Sequence, residues 1–156
     1  MTYRALPIAA LSLVAMLVAP SAVAEDDMPA KTAKYRHVVM EGAGKHMKAG
    51  AMIVKGEVSR TSDMEFHARA LLGVAESLEE LFPKGTGPGD VEKTEALPKI
   101  WEDWEGFVKA NEAFKKAAAD LVKAAEKGKL EEIRPAFGAV GKSCGGCHDD
   151  FRKDED

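Results

Sequence analysis

The chain has 156 residues, a formal net charge of −4 and two cysteines. This length predicts a single domain. The mildly acidic balance disfavours nucleic acid as a partner, because nucleic acid is bound by basic surfaces. A closed zinc site needs about four protein ligands, and the chain has no second cysteine pair to supply them.

The first 24 residues have the three parts of a secretory signal peptide. Arg4 precedes an apolar run at residues 8–18, and Ala22-Val23-Ala24 fits the small-residue rule for cleavage. The run is shorter than the roughly 20 residues that a membrane-spanning helix needs. We therefore expect export to the periplasm, a mature domain at residues 25–156, and no membrane attachment after cleavage.

The first helix is predicted over residues 28–55, with Gly56 as its C-cap. Apolar residues at a spacing of three to four predict its buried face; they are Tyr35, Val39, Met40, Ala43, Met47, Ala51 and Val54. Gly42, Gly44 and Gly50 lower the helix propensity of this segment. Either a flat macrocycle or a second helix packs closely against these glycines, or the helix is less regular in this segment.

The second helix is predicted to begin near Ser62, with Thr61 or Ser62 as its N-cap and Glu65 in the capping-box position. It is predicted to end at Pro83. Residues 83–95 are rich in glycine and proline and predict a long crossover connection. They do not predict a phosphate loop, because no strand precedes them and no G-K-[ST] follows.

The third helix is predicted to carry Pro98 in its first turn and to end before a short turn at residues 127–129. A fourth, antiparallel helix follows. Its apolar residues are spaced 3, 4, 3, 4, 3, 4 and predict one continuous seam; they are Leu130, Ile133, Phe137, Val140, Cys144, Cys147 and Phe151. Pro135 lacks the backbone N–H that a helix interior needs, so this helix either begins near Arg134 or kinks there. The fold class predicted is all-α, an antiparallel four-helix bundle.

The seam contains Cys144-Gly145-Gly146-Cys147-His148, the C-x-x-C-H attachment signature of c-type haem. Two thiols one helical turn apart can bond to the two vinyl groups of one haem, and the adjacent imidazole can donate an axial nitrogen to the iron. A thioredoxin-type pair would need a strand and helix around it. The motif therefore predicts one haem c per chain, held covalently through Cys144 and Cys147 between the helices of the bundle.

Several further motifs accompany this signature: Lys34-Tyr35-Arg36 followed by Met40, His46-Met47-Lys48, Lys55-Gly56-Glu57, Leu97-Pro98-Lys99-Ile100-Trp101, Ala136-Phe137-Gly138-Ala139-Val140-Gly141, and Phe151-Arg152-Lys153. Together with a haem motif close to the C-terminus, they resemble class II cytochromes c, the cytochrome c′ family. The resemblance implies thioether bonds at Cys144 and Cys147 and the proximal iron bond at His148.

The resemblance also assigns three residues around the haem. Arg36 would lie near a haem propionate, Arg152 beside the proximal histidine, and Met40 on the distal face. In cytochromes c′ the distal residue covers a five-coordinate iron, whereas in low-spin relatives a methionine near this position binds the iron. Other candidates for the sixth ligand are His37, His46 and His67. We expect all three histidines to be solvated or to cap helices.

The functional prediction is single-electron transfer, with small neutral gases such as NO and CO as ligands of an open distal site. The alternative is a low-spin electron carrier with Met40 as the sixth ligand. We expect no enzymatic activity, because no pattern supplies a distal acid or base of the kind a peroxidase needs. The sequence does not indicate the redox partner, and it leaves both a monomer and a homodimer open.

Overall fold

The computed structural model describes residues 28–153; the predicted signal peptide lies outside this range. Five helices form the fold: α1 (Met28–Lys55), α2 (Met64–Ser77), α3 (Lys99–Glu102), α4 (Trp104–Glu126) and α5 (Leu130–Phe151). The four long helices pack as the predicted four-helix bundle, which confirms the fold class. None of the helices within residues 28–153 is long and apolar enough to cross a membrane.

Helix α1 ends as predicted. Gly56 adopts a left-handed φ of 77°, its N–H donates to the Ile53 carbonyl at 3.0 Å, and the Glu57 N–H donates to the Met52 carbonyl at 2.9 Å. These bonds satisfy carbonyls that the helix end leaves without partners. Glycine suits this position because a side chain would be strained at that φ.

The predicted buried face of α1 is wrong at its first residue. Tyr35 is 62% exposed, whereas the neighbouring Arg36 is only 4% exposed. Gly50 provides the close approach, since a Cβ there would lie 2.5 Å from the Phe137 ring of α5. Gly42 and Gly44 face open space, so only one of the three glycines is explained by packing.

The predicted capping box of α2 is also wrong. Thr61–Asp63 form a 3₁₀ turn ahead of the helix, and no side chain caps the α2 N-terminus. The Asp63 carboxylate instead accepts a hydrogen bond from Arg60, which removes it from the backbone N–H groups. The helix is stabilised by its packing, because Met64, Ala68, Leu71 and Ala75 are all fully buried.

The predicted third helix is divided in two at Asp103, which has φ −125° and ψ 62°. Its carboxylate accepts a hydrogen bond from the Gly106 N–H at 3.0 Å and caps α4. Aspartate is favoured at this position because it satisfies an N–H that the first helical turn leaves free. Pro98 directly precedes α3, and Gly128 (φ 68°) makes the short turn before α5.

Helix α5 begins at Leu130 and includes Pro135, so the predicted alternative of a start near Arg134 is wrong. The seam is confirmed, because Ile133, Val140 and Phe151 are buried and the other seam residues are partly buried. Burying side chains of this size contributes about 1.5–3 kcal/mol each. The seam therefore fixes which face of α5 points into the bundle.

The interior consists of two groups of side chains. We call the first the main core; it contains most buried residues of α2, α4 and α5. We call the second the crossover cluster, and its buried members are Leu78, Leu81, Phe82, Ile100, Phe107 and Phe151. Phe107 is its centre, since its ring meets Phe82 at 4.8 Å and Phe151 at 5.5 Å between centroids.

Candidate haem-attachment site

The two cysteines of the C-x-x-C-H motif lie at the boundary between the two interior groups. Cys144 packs against the main core and Cys147 against the crossover cluster. Both are partly buried, and neither is in a disulfide. A rigid helix thus presents two unpaired thiols one turn apart towards the interior, which is the donor arrangement that covalent haem attachment requires.

Burial raises the pKa of both thiols. For Cys147 the pKa rises to about 11, because of burial first and then because a second thiolate at Cys144 and the carboxylate of Asp150 would repel its thiolate. These thiols remain protonated at neutral pH. A dithiol oxidoreductase needs the opposite, a lowered pKa that yields a reactive thiolate, so the site does not suit thioredoxin-type chemistry.

His148 is an exposed residue of α5 and lies one turn beyond Cys144. Its carbonyl accepts a hydrogen bond from the Arg152 N–H at 3.0 Å as the helix ends. The Arg152 side chain is held by Glu95, with Nε donating to Oε2 at 2.9 Å. Lys153 N–H also donates to the Glu95 carbonyl at 2.7 Å. The end of the crossover therefore positions Arg152 one turn after the predicted proximal ligand.

Met40 is brought to the same part of the bundle from α1. It is partly buried and packs against the crossover cluster, as Cys147 does from α5. Val39 of α1 packs there as well. The fold therefore joins the motif to the predicted distal residue, although more than a hundred residues of chain separate them.

Arg36 is a buried charge that holds the crossover against α1. Its Nη1 donates to the Leu81 carbonyl at 3.1 Å and to Thr86 Oγ1 at 3.0 Å. Its Nη2 donates to the Thr86 carbonyl and to Thr94 Oγ1, each at 2.9 Å. Sequence reasoning missed Thr86 and Thr94, since threonines in a glycine-rich loop carry no signal for a distant partner.

The acceptors around Arg36 are all uncharged. Its guanidinium lies 4.6 Å from the Phe82 ring centroid and 5.9 Å from that of Trp101. Within residues 28–153 no carboxylate forms an ion pair with it, and burial lowers its pKa. A buried cation without a carboxylate partner is stabilised by a nearby anion, but both Nη atoms of Arg36 already donate twice, so the contact with a haem propionate stays a prediction.

We expect Arg36→Leu to lower the free energy of unfolding by about 3 kcal/mol, because it leaves buried carbonyls without donors. Urea denaturation followed by circular dichroism measures the loss. Lys34→Leu is the matched control, since Lys34 is exposed on the same helix and its replacement should change stability by less than about 0.5 kcal/mol. Equal losses in both variants would contradict this role for Arg36.

The three predicted alternative histidines lie in two different environments. His37 is 55% exposed, as expected, with its ring nitrogens 3.9 Å from carboxylates of Glu41 and Glu95. The expectation is wrong for His46 and His67, because their rings contact each other across α1 and α2. Since each is engaged with the other, neither is a solvated or capping histidine.

Comparison with known proteins identifies the family. The sequence profile of the cytochrome c′ family matches residues 31–152. The chain belongs to the cytochrome c′ family. Its cofactor is accordingly haem c, in agreement with the two cysteines of the motif. The cytochrome c′ of Rhodospirillum rubrum is 34% identical over 146 residues, which cover 92% of this chain and 98% of that protein.

Solved structures of cytochromes c′ have the same fold. A nitric oxide complex of a variant from Alcaligenes xylosoxidans has a TM-score of 0.73 at 30% identity, covering 81% of this chain and 97% of that one. A carbon monoxide complex of another variant of that protein has a TM-score of 0.73 at 31% identity with the same coverage.

Proposed function

We propose that this cytochrome c′ is a periplasmic protein that transfers single electrons and binds NO or CO at an open distal face. In this proposal Cys144 and Cys147 hold the haem, and His148 donates the proximal nitrogen. The observation that carries it is the packing of Val39 and Met40 against the crossover cluster. These are apolar side chains without an imidazole, so neither would supply a nitrogen ligand to the distal side of the iron.

The bound haem supplies one reversible one-electron iron couple. Around it, Val39 and Met40 would exclude water from the distal side. A small neutral ligand needs few hydrogen bonds, so an apolar cover suits NO or CO better than a charged ligand. Arg36 would compensate the charge of a propionate, and Arg152, held by Glu95, would limit access to the proximal side.

The structural neighbours support the gas-binding part of the proposal. Variants of the Alcaligenes xylosoxidans cytochrome c′ have been crystallised with nitric oxide and with carbon monoxide. Because this chain has the same bundle and belongs to the same family, we extend those ligands to it as a proposal.

A second candidate function is simple electron transfer with six-coordinate iron. The observation that favours it is the position of Met40, since a thioether that packs against the same cluster as Cys147 is a potential ligand. His/Met coordination raises the reduction potential relative to His alone. This version of the protein would exchange electrons without binding gases.

The optical and EPR spectra of the purified ferric protein distinguish the two functions. We expect a high-spin ferric spectrum, and rapid formation of CO and NO complexes after reduction. A low-spin His/Met spectrum that does not respond to CO would contradict the open distal face. Peroxide turnover serves as the control for enzymatic activity, and we expect it to be no faster than with free haem.

Export and assembly belong to the same proposal. The signal pattern in residues 1–24 supports a periplasmic location, where haem attachment protects both cysteines from forming a disulfide.

For assembly we propose a homodimer through α1 and α2, because these helices carry most of the exposed large apolar residues of the described chain: Met28, Tyr35, Val38, Met52 and Phe66. The redox partner is not part of the proposal.

A further inference from the structure

His46 and His67 form a contact that the proposed haem function does not use. His46 is on α1 and His67 on α2, and their Nδ1 atoms are 2.9 Å apart. The ring centroids are separated by 5.2 Å with an interplanar angle of 60°. Both rings are partly buried, and each also meets the Phe66 ring edge-on, at 5.4 Å for His46 and 5.2 Å for His67.

The short contact requires at least one neutral imidazole. Only one proton can lie between two Nδ1 atoms at this distance, so one nitrogen must offer its lone pair. The contact therefore includes at least one unprotonated imidazole nitrogen, which is what a metal ion needs.

The spacing of the two nitrogens also fits a shared metal ion. With metal–nitrogen bonds of about 2.0–2.1 Å, two ligands at 90° are about 2.9 Å apart, whereas tetrahedral ligands are about 3.3 Å apart. A cis pair at 90° is typical of the tetragonal geometry that Cu²⁺ and Ni²⁺ prefer. A modest rotation of each ring would direct both lone pairs to one point beside the contact.

We propose that His46 and His67 form a second metal site, separate from the haem, that binds one borderline divalent cation and prefers Cu²⁺. Within residues 28–153 no third histidine, cysteine or carboxylate joins the pair to make a larger ligand group. Water completes the coordination, and the site is weaker than a closed protein site. Because its ligands come from two helices, a bound ion connects α1 to α2.

Asp63 is the carboxylate whose charge acts on His67, and it is already engaged. Asp63 lies one turn before His67 on the chain, and its carboxylate accepts hydrogen bonds from Arg60 and from Ser62. It therefore contributes negative charge near the ion rather than a ligand. Phe66, whose ring meets both imidazoles edge-on, covers one side of the pair.

The test is a Cu²⁺ titration of the haem-loaded protein, in which His148 is bound to iron. We expect one Cu²⁺ per chain by equilibrium dialysis, with EPR hyperfine splitting from two nitrogens. His46→Gln and His67→Gln should each weaken binding by about tenfold or more. His37→Gln is the matched control and should bind Cu²⁺ like the original protein, because His37 lies apart from the pair near Glu41 and Glu95.

Any of three results would overturn the site. The first is that the protein binds no stoichiometric Cu²⁺, and the second is that the variant with both substitutions binds Cu²⁺ as the original protein does. The third result is an EPR splitting from a single nitrogen that disappears in His37→Gln. The haem absorbance and far-ultraviolet circular dichroism check the fold of each variant. Should a glutamine variant fail to fold, His67→Phe replaces it, since a ring of similar size keeps the contact with Phe66 and removes both nitrogens.

Discussion

We expect the double substitution Cys144→Ala/Cys147→Ala to remove all covalently bound haem from the protein. Both cysteines are on the interior seam of α5, one turn apart, and the chain has no other thiol. Without a thiol no thioether can form, so any haem that still enters the bundle would be held by packing and by the proposed bond from His148. Haem staining after denaturing electrophoresis measures the loss, which we expect to be complete.

Single cysteine variants and a neighbouring residue provide the controls for this experiment. Cys144→Ala and Cys147→Ala should each retain haem through the remaining thioether. Ser143→Ala should retain haem fully, because the Ser143 hydroxyl only donates to the Val140 carbonyl at 2.8 Å. Haem that remains with the double variant through denaturation would show that the attachment lies elsewhere.

The second large effect is expected from Met40→Ala. If Met40 covers the iron without binding it, the ferric spin state should remain high-spin. The association rate of CO or NO should then rise by about tenfold, which corresponds to the removal of about 1.4 kcal/mol of steric barrier. Stopped-flow mixing of the reduced protein with CO measures the rate, and EPR of the ferric protein measures the spin state.

Met52→Ala is the matched control for this substitution, because Met52 is an exposed methionine of the same helix. Its ligand-binding rate and spectrum should equal those of the original protein. A change from low-spin to high-spin iron in Met40→Ala would instead identify Met40 as the sixth ligand, and would support the simple electron carrier over the gas-binding protein.

These two experiments concern two parts of the site whose contacts the sequence predicts to different degrees. The chemistry of Cys144, Cys147 and His148 depends on residues within one and a half helical turns, so their spacing alone predicts the shared face of α5. Met40 was assigned to the distal face by resemblance, but its packing against the crossover cluster depends on the tertiary structure, and no local pattern predicts a contact over that separation.

Arg36 is the clearest case of a residue whose environment the sequence does not reveal. The apolar periodicity of α1 places Tyr35 inside, yet the structure buries Arg36 and exposes Tyr35. Arg36 can be buried because Leu81, Thr86 and Thr94, which are 45 to 58 residues away, supply acceptors for its donors. Burying a charge is unfavourable without such partners, and periodicity cannot report them.

The sequence was sufficient for the features that short-range physics controls. Helix periodicity, the left-handed glycines at 56 and 128 and the C-x-x-C-H spacing depend on neighbours along the chain, so the bundle and its haem motif could be predicted. The helix break at Asp103 is also local, because its carboxylate caps the Gly106 N–H three residues on. Only the tertiary structure decided the burial of Arg36 and the contact between His46 and His67. Each of these depends on which polar groups meet after the helices pack, because a buried or capping group is stable only when its partners are in reach.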